Sequence, residues 1–132
     1  MTANGSALVG ARVLVTGAAR GLGLAITRDL ADRGARVAAV DVDEEGVDDL
    51  RGLNGVTGIQ CDVSDADAVD AAFVRAEAEL GGLDGVVSNA AIVDVTRAKA
   101  RDLDPAEFDR VMAVNARGTW LVCRRALATL SG

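Results

Sequence analysis

Histidine and tyrosine are both missing from this 132-residue chain. Without histidine, the commonest general base and the commonest metal ligand are excluded, and no metal site is expected. Aromatics are only 2% of a chain that is 50% hydrophobic, so the core must be built from Val, Ala, Leu and Ile. The two cysteines, Cys61 and Cys123, lack metal-ligand spacing and read as small buried hydrophobes. No apolar stretch is long enough to span a membrane, and the N-terminus has no basic flank ahead of an apolar run, so neither an anchor nor a signal peptide is expected. Residues 1–10 read as a disordered lead-in. The net charge is −6 and the cations are scattered, which leaves no basic face for nucleic acid. An acidic, cytoplasmic protein is the expectation.

What is present is organised around Val13 to Gly23. A short apolar run ends in a G-x-x-x-G-x-G turn that opens a helix. Gly17 allows a sharp turn off the strand, Gly21 lets the backbone approach a ligand, and Gly23 lets the helix pack tightly on a sheet. Free N–H groups and the positive end of the helix dipole then face the turn, a setting for the pyrophosphate of a dinucleotide. A plain strand-to-helix turn is the alternative for the glycines alone.

The rest of the chain alternates short Val-rich runs with Ala-rich helical stretches, the rhythm of an α/β fold with a parallel sheet. Strands are expected at Arg12–Thr16, Arg36–Val40, Val56–Cys61 and Leu83–Ser88. The first helix should bury Leu22, Ala25, Ile26 and Leu30 and stop at Gly34. Asp41, at the end of the second strand, sits where a carboxylate accepts hydrogen bonds from the adenosine ribose and repels a 2′-phosphate, favouring NAD over NADP. Arg20 in the turn is the counterweight, since it could meet a phosphate; an exposed acid near a helix start is the alternative for Asp41. Asp62 and Val63 lie where adenine would fall, or Asp62 is a strand-end turn residue. Ser64 is expected to cap the next helix, with Asp67 completing a capping box. Asn89, in an apolar stretch, must find partners if buried. Asp104 and Pro105 open one long final helix, in which Asn115 shares a face with Phe108, Met112, Val122 and Ala126. Trp120, Cys123 and Leu127 make a second apolar face, as in a sandwiched helix. The right-handed β-α rhythm implies a doubly wound sheet of order 3-2-1-4, with a crevice between strands one and four.

Thr16-Gly17-Ala18-Ala19-Arg20-Gly21-Leu22-Gly23 is similar to the T-G-x-x-x-G-x-G motif of the short-chain dehydrogenase/reductase family. Ser88-Asn89-Ala90-Ala91 resembles its N-N-A-G motif, and Asn115 its helix asparagine. The resemblance covers nearly all of residues 12–130. It implies a Rossmann-type domain over 11–132, incomplete at its C-terminus, with Gly17, Arg20, Gly21 and Leu22 around the pyrophosphate. It further implies Asp41 on the ribose, Asp62 and Val63 on adenine, and Asn89, Ala90 and Ala91 near the nicotinamide ribose. Asn115 is the family's tetrad asparagine, holding a relay water through its carbonyl. Ser88 and Ala91 depart mildly from the motif.

The family's catalytic Ser and Tyr-x-x-x-Lys pair are absent, and Lys99 is the sole lysine. The resemblance therefore implies the NAD-binding half of an enzyme that moves hydride between NAD and a secondary alcohol or ketone, itself inactive, cut from a longer dehydrogenase and assembled as a homo-oligomer. The alternative is a non-catalytic NAD-binding or interaction module.

Overall fold

A computed structural model describes residues 8–130. The elements run β1 (Arg12–Thr16), α1 (Gly21–Asp32), β2 (Arg36–Asp41), α2 (Glu44–Arg51), β3 (Val56–Gln60), α3 (Ala66–Leu80), β4 (Gly85–Val87), α4 (Pro105–Met112) and α5 (Thr119–Leu130). A π-helical segment, Ala113–Gly118, joins α4 to α5, and a 3₁₀ turn, Ala100–Asp102, precedes α4. The four strands form one parallel sheet in the order β3-β2-β1-β4. This is the Rossmann-type order expected. β4 spans only three residues, shorter than the Leu83–Ser88 run suggested, because it pairs with β1 alone through Val13–Val15.

Alternation along the strands builds two cores. Leu14, Ala38, Val40 and Ile59 face α3 and α5, meeting Val69, Phe73, Ala76, Leu121 and Val122. Val13, Val15, Val37 and Ala39 face the other way, toward α1 and α2 and Leu50. Both faces of β2 are buried, which is why its sequence carries no polar alternation.

Several details differ from the sequence reading. α1 buries Gly23 and Thr27, with Leu24, Ile26 and Leu30 beside them, while Leu22 and Ala25 are exposed. The close approach of Gly23 to the sheet sets that face, and Leu22, one position away, turns toward the site. Asp65, not Ser64, caps α3, accepting from the N–H groups of Asp67 and Ala68. Ser64 is held instead by Asp62, whose Oδ1 accepts from its N–H and its hydroxyl. Cys61 is buried as expected, but Cys123 is exposed. The long final helix is interrupted: Phe108 and Met112 are exposed, whereas Val122 and Ala126 are buried. A π turn carries more residues than an α turn and so rotates the faces on either side of it apart. Leu8–Gly10 form a turn in which the Gly10 N–H donates to the Gly34 carbonyl at 2.8 Å. The rest of the expected lead-in, residues 1–7, lies outside the described residues. Among the described residues, no helix is long and apolar enough to cross a membrane.

An ion pair fastens β4 to β1 at the end away from the site. Arg12 Nη2 donates to Asp84 Oδ1 at 2.6 Å, and Arg12 Nε and its backbone N–H donate to Oδ2, each at 2.9 Å. The Arg12 side chain, then its backbone N–H, hold the Asp84 carboxyl down to about 2. The unfolded value is about 3.9. The stabilisation is therefore complete above that value and is lost as pH falls through about 2. Asp84→Asn should lower Tm by a few degrees at neutral pH, with the gap to the parent closing in that acid window. Thermal melts across pH check this, and a gap that stays constant into strong acid would refute it.

Candidate functional site

A cavity of about 420 Å³ opens at the carboxyl ends of the strands, where the strand order reverses between β1 and β4. The turn after β1 supplies Gly17, Arg20 and Leu22; β2 supplies Asp41; the segment after β3 supplies Cys61, Asp62 and Val63. Asn89, Ala90 and Ala91 line it from beyond β4, and Val114 from the π segment. The structure thus brings together nine of the ten cofactor-binding residues anticipated from sequence. Gly21, the tenth, opens α1 in an exposed position with φ +55°, and a side chain there would meet nothing within 4 Å.

Local hydrogen bonds fix the turn. Gly17 takes φ +67°, and a Cβ on it would stand 2.8 Å from Ala90 Cα. Thr16, buried at the end of β1, accepts through its hydroxyl from the N–H groups of Asn89 (3.0 Å) and Ala90 (3.1 Å). Asn89 Nδ2 returns the contact to the carbonyls of Thr16 and Gly17, at 3.2 and 3.3 Å. Asn89 therefore finds its partners across the crevice, and the two loops that line it are stitched together. Thr16 was not singled out as a site residue, although its place in the motif was the available signal. α1 has neither a side-chain cap nor an acid in its first turn, so its leading N–H groups are left to a ligand.

Asp41 is 9% exposed, which removes the reading of a loose surface acid. Oδ2 accepts from the Ala19 N–H and Oδ1 from the Asp43 N–H, each at 3.0 Å. A carboxylate offers about four lone-pair sites, so each oxygen keeps one for a ligand hydroxyl. Arg20 is paired with Asp43 at 2.9 Å. Asp62 lines the cavity and also makes the turn with Ser64. Burial, followed by the charges of Asp62 and Asp65, pushes the Cys61 thiol up to about 11. Cys61 is thus a neutral wall at physiological pH rather than a nucleophile.

Asn115 lies in the π segment and is half-buried. Its Nδ2 donates to the Ile92 carbonyl and its Oδ1 accepts from the Ile92 N–H, both at 2.8 Å. Its own carbonyl accepts from the Thr119 hydroxyl at 2.7 Å. The side chain thus pins the segment after Ala91 against the helix. As a whole the arrangement suits a phosphate at the turn, a diol at Asp41 and a flat ring beside Val63. Among the described residues, no group of acidic, cysteine or histidine side chains could hold a metal ion.

Comparison with known proteins finds relatives over most of the chain. The model of a family described as enoyl-(acyl carrier protein) reductase matches residues 17–132. The chain is 40% identical over 122 residues to D-threitol dehydrogenase of Mycolicibacterium smegmatis, covering 89% of this chain and 46% of that protein. It is 41% identical over 123 residues to cis-4-hydroxycyclohexanecarboxylate dehydrogenase of Sinomonas cyclohexanicum, covering 89% and 49%. The crystal structure of 3-ketoacyl-(acyl-carrier-protein) reductase from Brucella melitensis complexed with NADH superposes with a TM-score of 0.88 at 34% identity, covering 92% of this chain and 51% of that one. The chain spans about half the length of the curated relatives it matches.

Proposed function

The chain belongs to the short-chain dehydrogenase/reductase family, and from that premise we propose that it is the nucleotide-binding half of an NAD-dependent dehydrogenase or reductase acting on a secondary alcohol or ketone. NAD, when bound, supplies the hydride chemistry. The residues here hold and orient it. Gly17, Gly21 and the leading N–H groups of α1 receive the pyrophosphate, with Arg20 and Leu22 flanking it. Asp41 takes the adenosine ribose, Asp62 and Val63 border adenine, and Asn89, Ala90 and Ala91 border the nicotinamide ribose. The observation that carries this reading is Asp41: a nearly buried carboxylate on the cavity wall, oriented by two backbone N–H groups, with accepting capacity left on each oxygen. The same carboxylate disfavours the 2′-phosphate of NADP.

Asn115 has two tasks in this reading. Its side chain holds the wall next to the nicotinamide end, and its carbonyl, which accepts from the Thr119 hydroxyl at 2.7 Å, keeps a second lone pair for a water of the proton relay. With no Tyr in the chain, the tyrosine that donates this proton in the family is not among these residues. The exposed apolar side chains Phe108, Met112 and Trp120 support assembly as a homo-oligomer.

Isothermal titration of the 132-residue chain with NAD tests the proposal, with its mass in solution measured alongside. Saturable binding with one site per chain is expected. Gly21→Val should retain the far-UV circular dichroism of the parent and lose that binding, because a β-branched residue is strained at φ +55° and shifts the turn locally, while its side chain meets no packed contact. Undiminished NAD binding by this variant would remove the pyrophosphate from the turn.

A further inference from the structure

We infer that Asp43 sets cofactor choice by withholding Arg20 from the ribose 2′ position, an inference that rests on the dinucleotide reading of the cavity. Arg20 is the only cation among the described residues that line it. A 2′-phosphate beside Asp41 would need such a cation to offset the carboxylate. The guanidinium is instead engaged: its Nη2 donates to Asp43 Oδ2 at 2.9 Å. Asp43 stands at the N-cap of α2, where a carboxylate ordinarily accepts from the helix's first N–H groups. It makes no such bond from its side chain. The carboxylate turns to Arg20, while the Asp43 backbone N–H donates to Asp41 Oδ1.

The two acids therefore work by different routes. Asp41 opposes a 2′-phosphate directly. Asp43 neutralises the cation that would attract one and adds a negative charge nearby. Both residues of the pair are solvent-accessible, at 77% for the Arg20 side chain and 37% for that of Asp43. The latch is accordingly weak in itself and salt-sensitive, so its removal should tune preference rather than unfold the chain. Because Asp43 makes no side-chain cap, Asp43→Asn costs α2 no capping bond.

The test is titration of the full chain with NAD and with NADP, for the parent, Asp43→Asn, Arg20→Gln and the double variant. Asp43→Asn should tighten NADP by about three- to five-fold at low salt while NAD stays within about two-fold. The gain should shrink at about 1 M salt and vanish in the double variant, which assigns it to Arg20. Unchanged NADP affinity, an equal gain for NAD, or a gain that survives loss of Arg20 would each overturn the latch while leaving the nucleotide site intact. A parent that binds neither nucleotide would overturn the dinucleotide reading itself, and the latch with it.

Discussion

Replacing Gly23 by alanine is expected to be the most damaging single-methyl change at this site. A Cβ on Gly23 would stand 1.9 Å from the Gly17 carbonyl oxygen and 2.6 Å from Asn89 Nδ2. Neither neighbour can yield cheaply. The Gly17 carbonyl belongs to a turn already held at positive φ, and Asn89 is tied to the carbonyls of Thr16 and Gly17. Overpacking against backbone costs typically up to about 3 kcal/mol and occasionally more. The upper end applies here because two loops must part. That corresponds to a fall in Tm of roughly 10 °C or more for a chain of this size. Binding should fail as well, since the turn that receives the phosphate moves. Gly85→Ala is the matched control: a Cβ there meets nothing within 4 Å, and its φ lies outside the left-handed region. Adding the methyl at Gly85 should be neutral or slightly stabilising through the unfolded chain. Thermal melts of the two variants decide the matter, and equal losses would show that the close approach at Gly23 can be relieved.

Asp41→Ala is expected to weaken NAD by about 10- to 100-fold while weakening NADP far less. Hydrogen bonds to a charged group contribute about 1.5–3 kcal/mol, and the ribose hydroxyls would lose that partner. NADP loses contacts too, but it also escapes the repulsion of its 2′-phosphate. The substitution has a structural cost, because the N–H groups of Ala19 and Asp43 lose their acceptor. A destabilisation of about 1–3 kcal/mol follows if they stay dry. A loosened turn would weaken both nucleotides alike, so the ratio of the two affinities, and not the NAD affinity alone, identifies the ribose contact. An unchanged ratio would reduce Asp41 to an anchor for the turn.

Much of this was legible in the residues. The alternation of Val-rich runs with Ala-rich helical stretches placed β1, β2 and the strand order, because burial on both faces of a parallel sheet leaves an unbroken apolar signature. Asp104 and Pro105 opened α4 as read, with the Asp104 carboxylate accepting from the Ala106 N–H at 2.8 Å. The face of α1 was misread because periodicity counts apolar side chains, whereas a glycine set the closest approach. Ser64 was read as the cap of α3, but Asp62 holds Ser64 and the neighbouring Asp65 takes the cap.

What the sequence by itself determined is the scaffold: strands and helices from local periodicity, and a tight turn off β1 from glycine spacing. Tertiary structure decided how those parts are held. The bond from Asn89 to Thr16 closes across 73 positions, and that from Asn115 to Ile92 across 23. The π segment gains its place where Gly118 meets Val63, since a side chain there would come within 2.8 Å of it. An extra residue in a helical turn shifts the apolar stripe, which from the residues alone reads as two faces of one sandwiched helix. It persists because packing and paired polar groups on another segment favour it, and such partners exist only once the chain has folded.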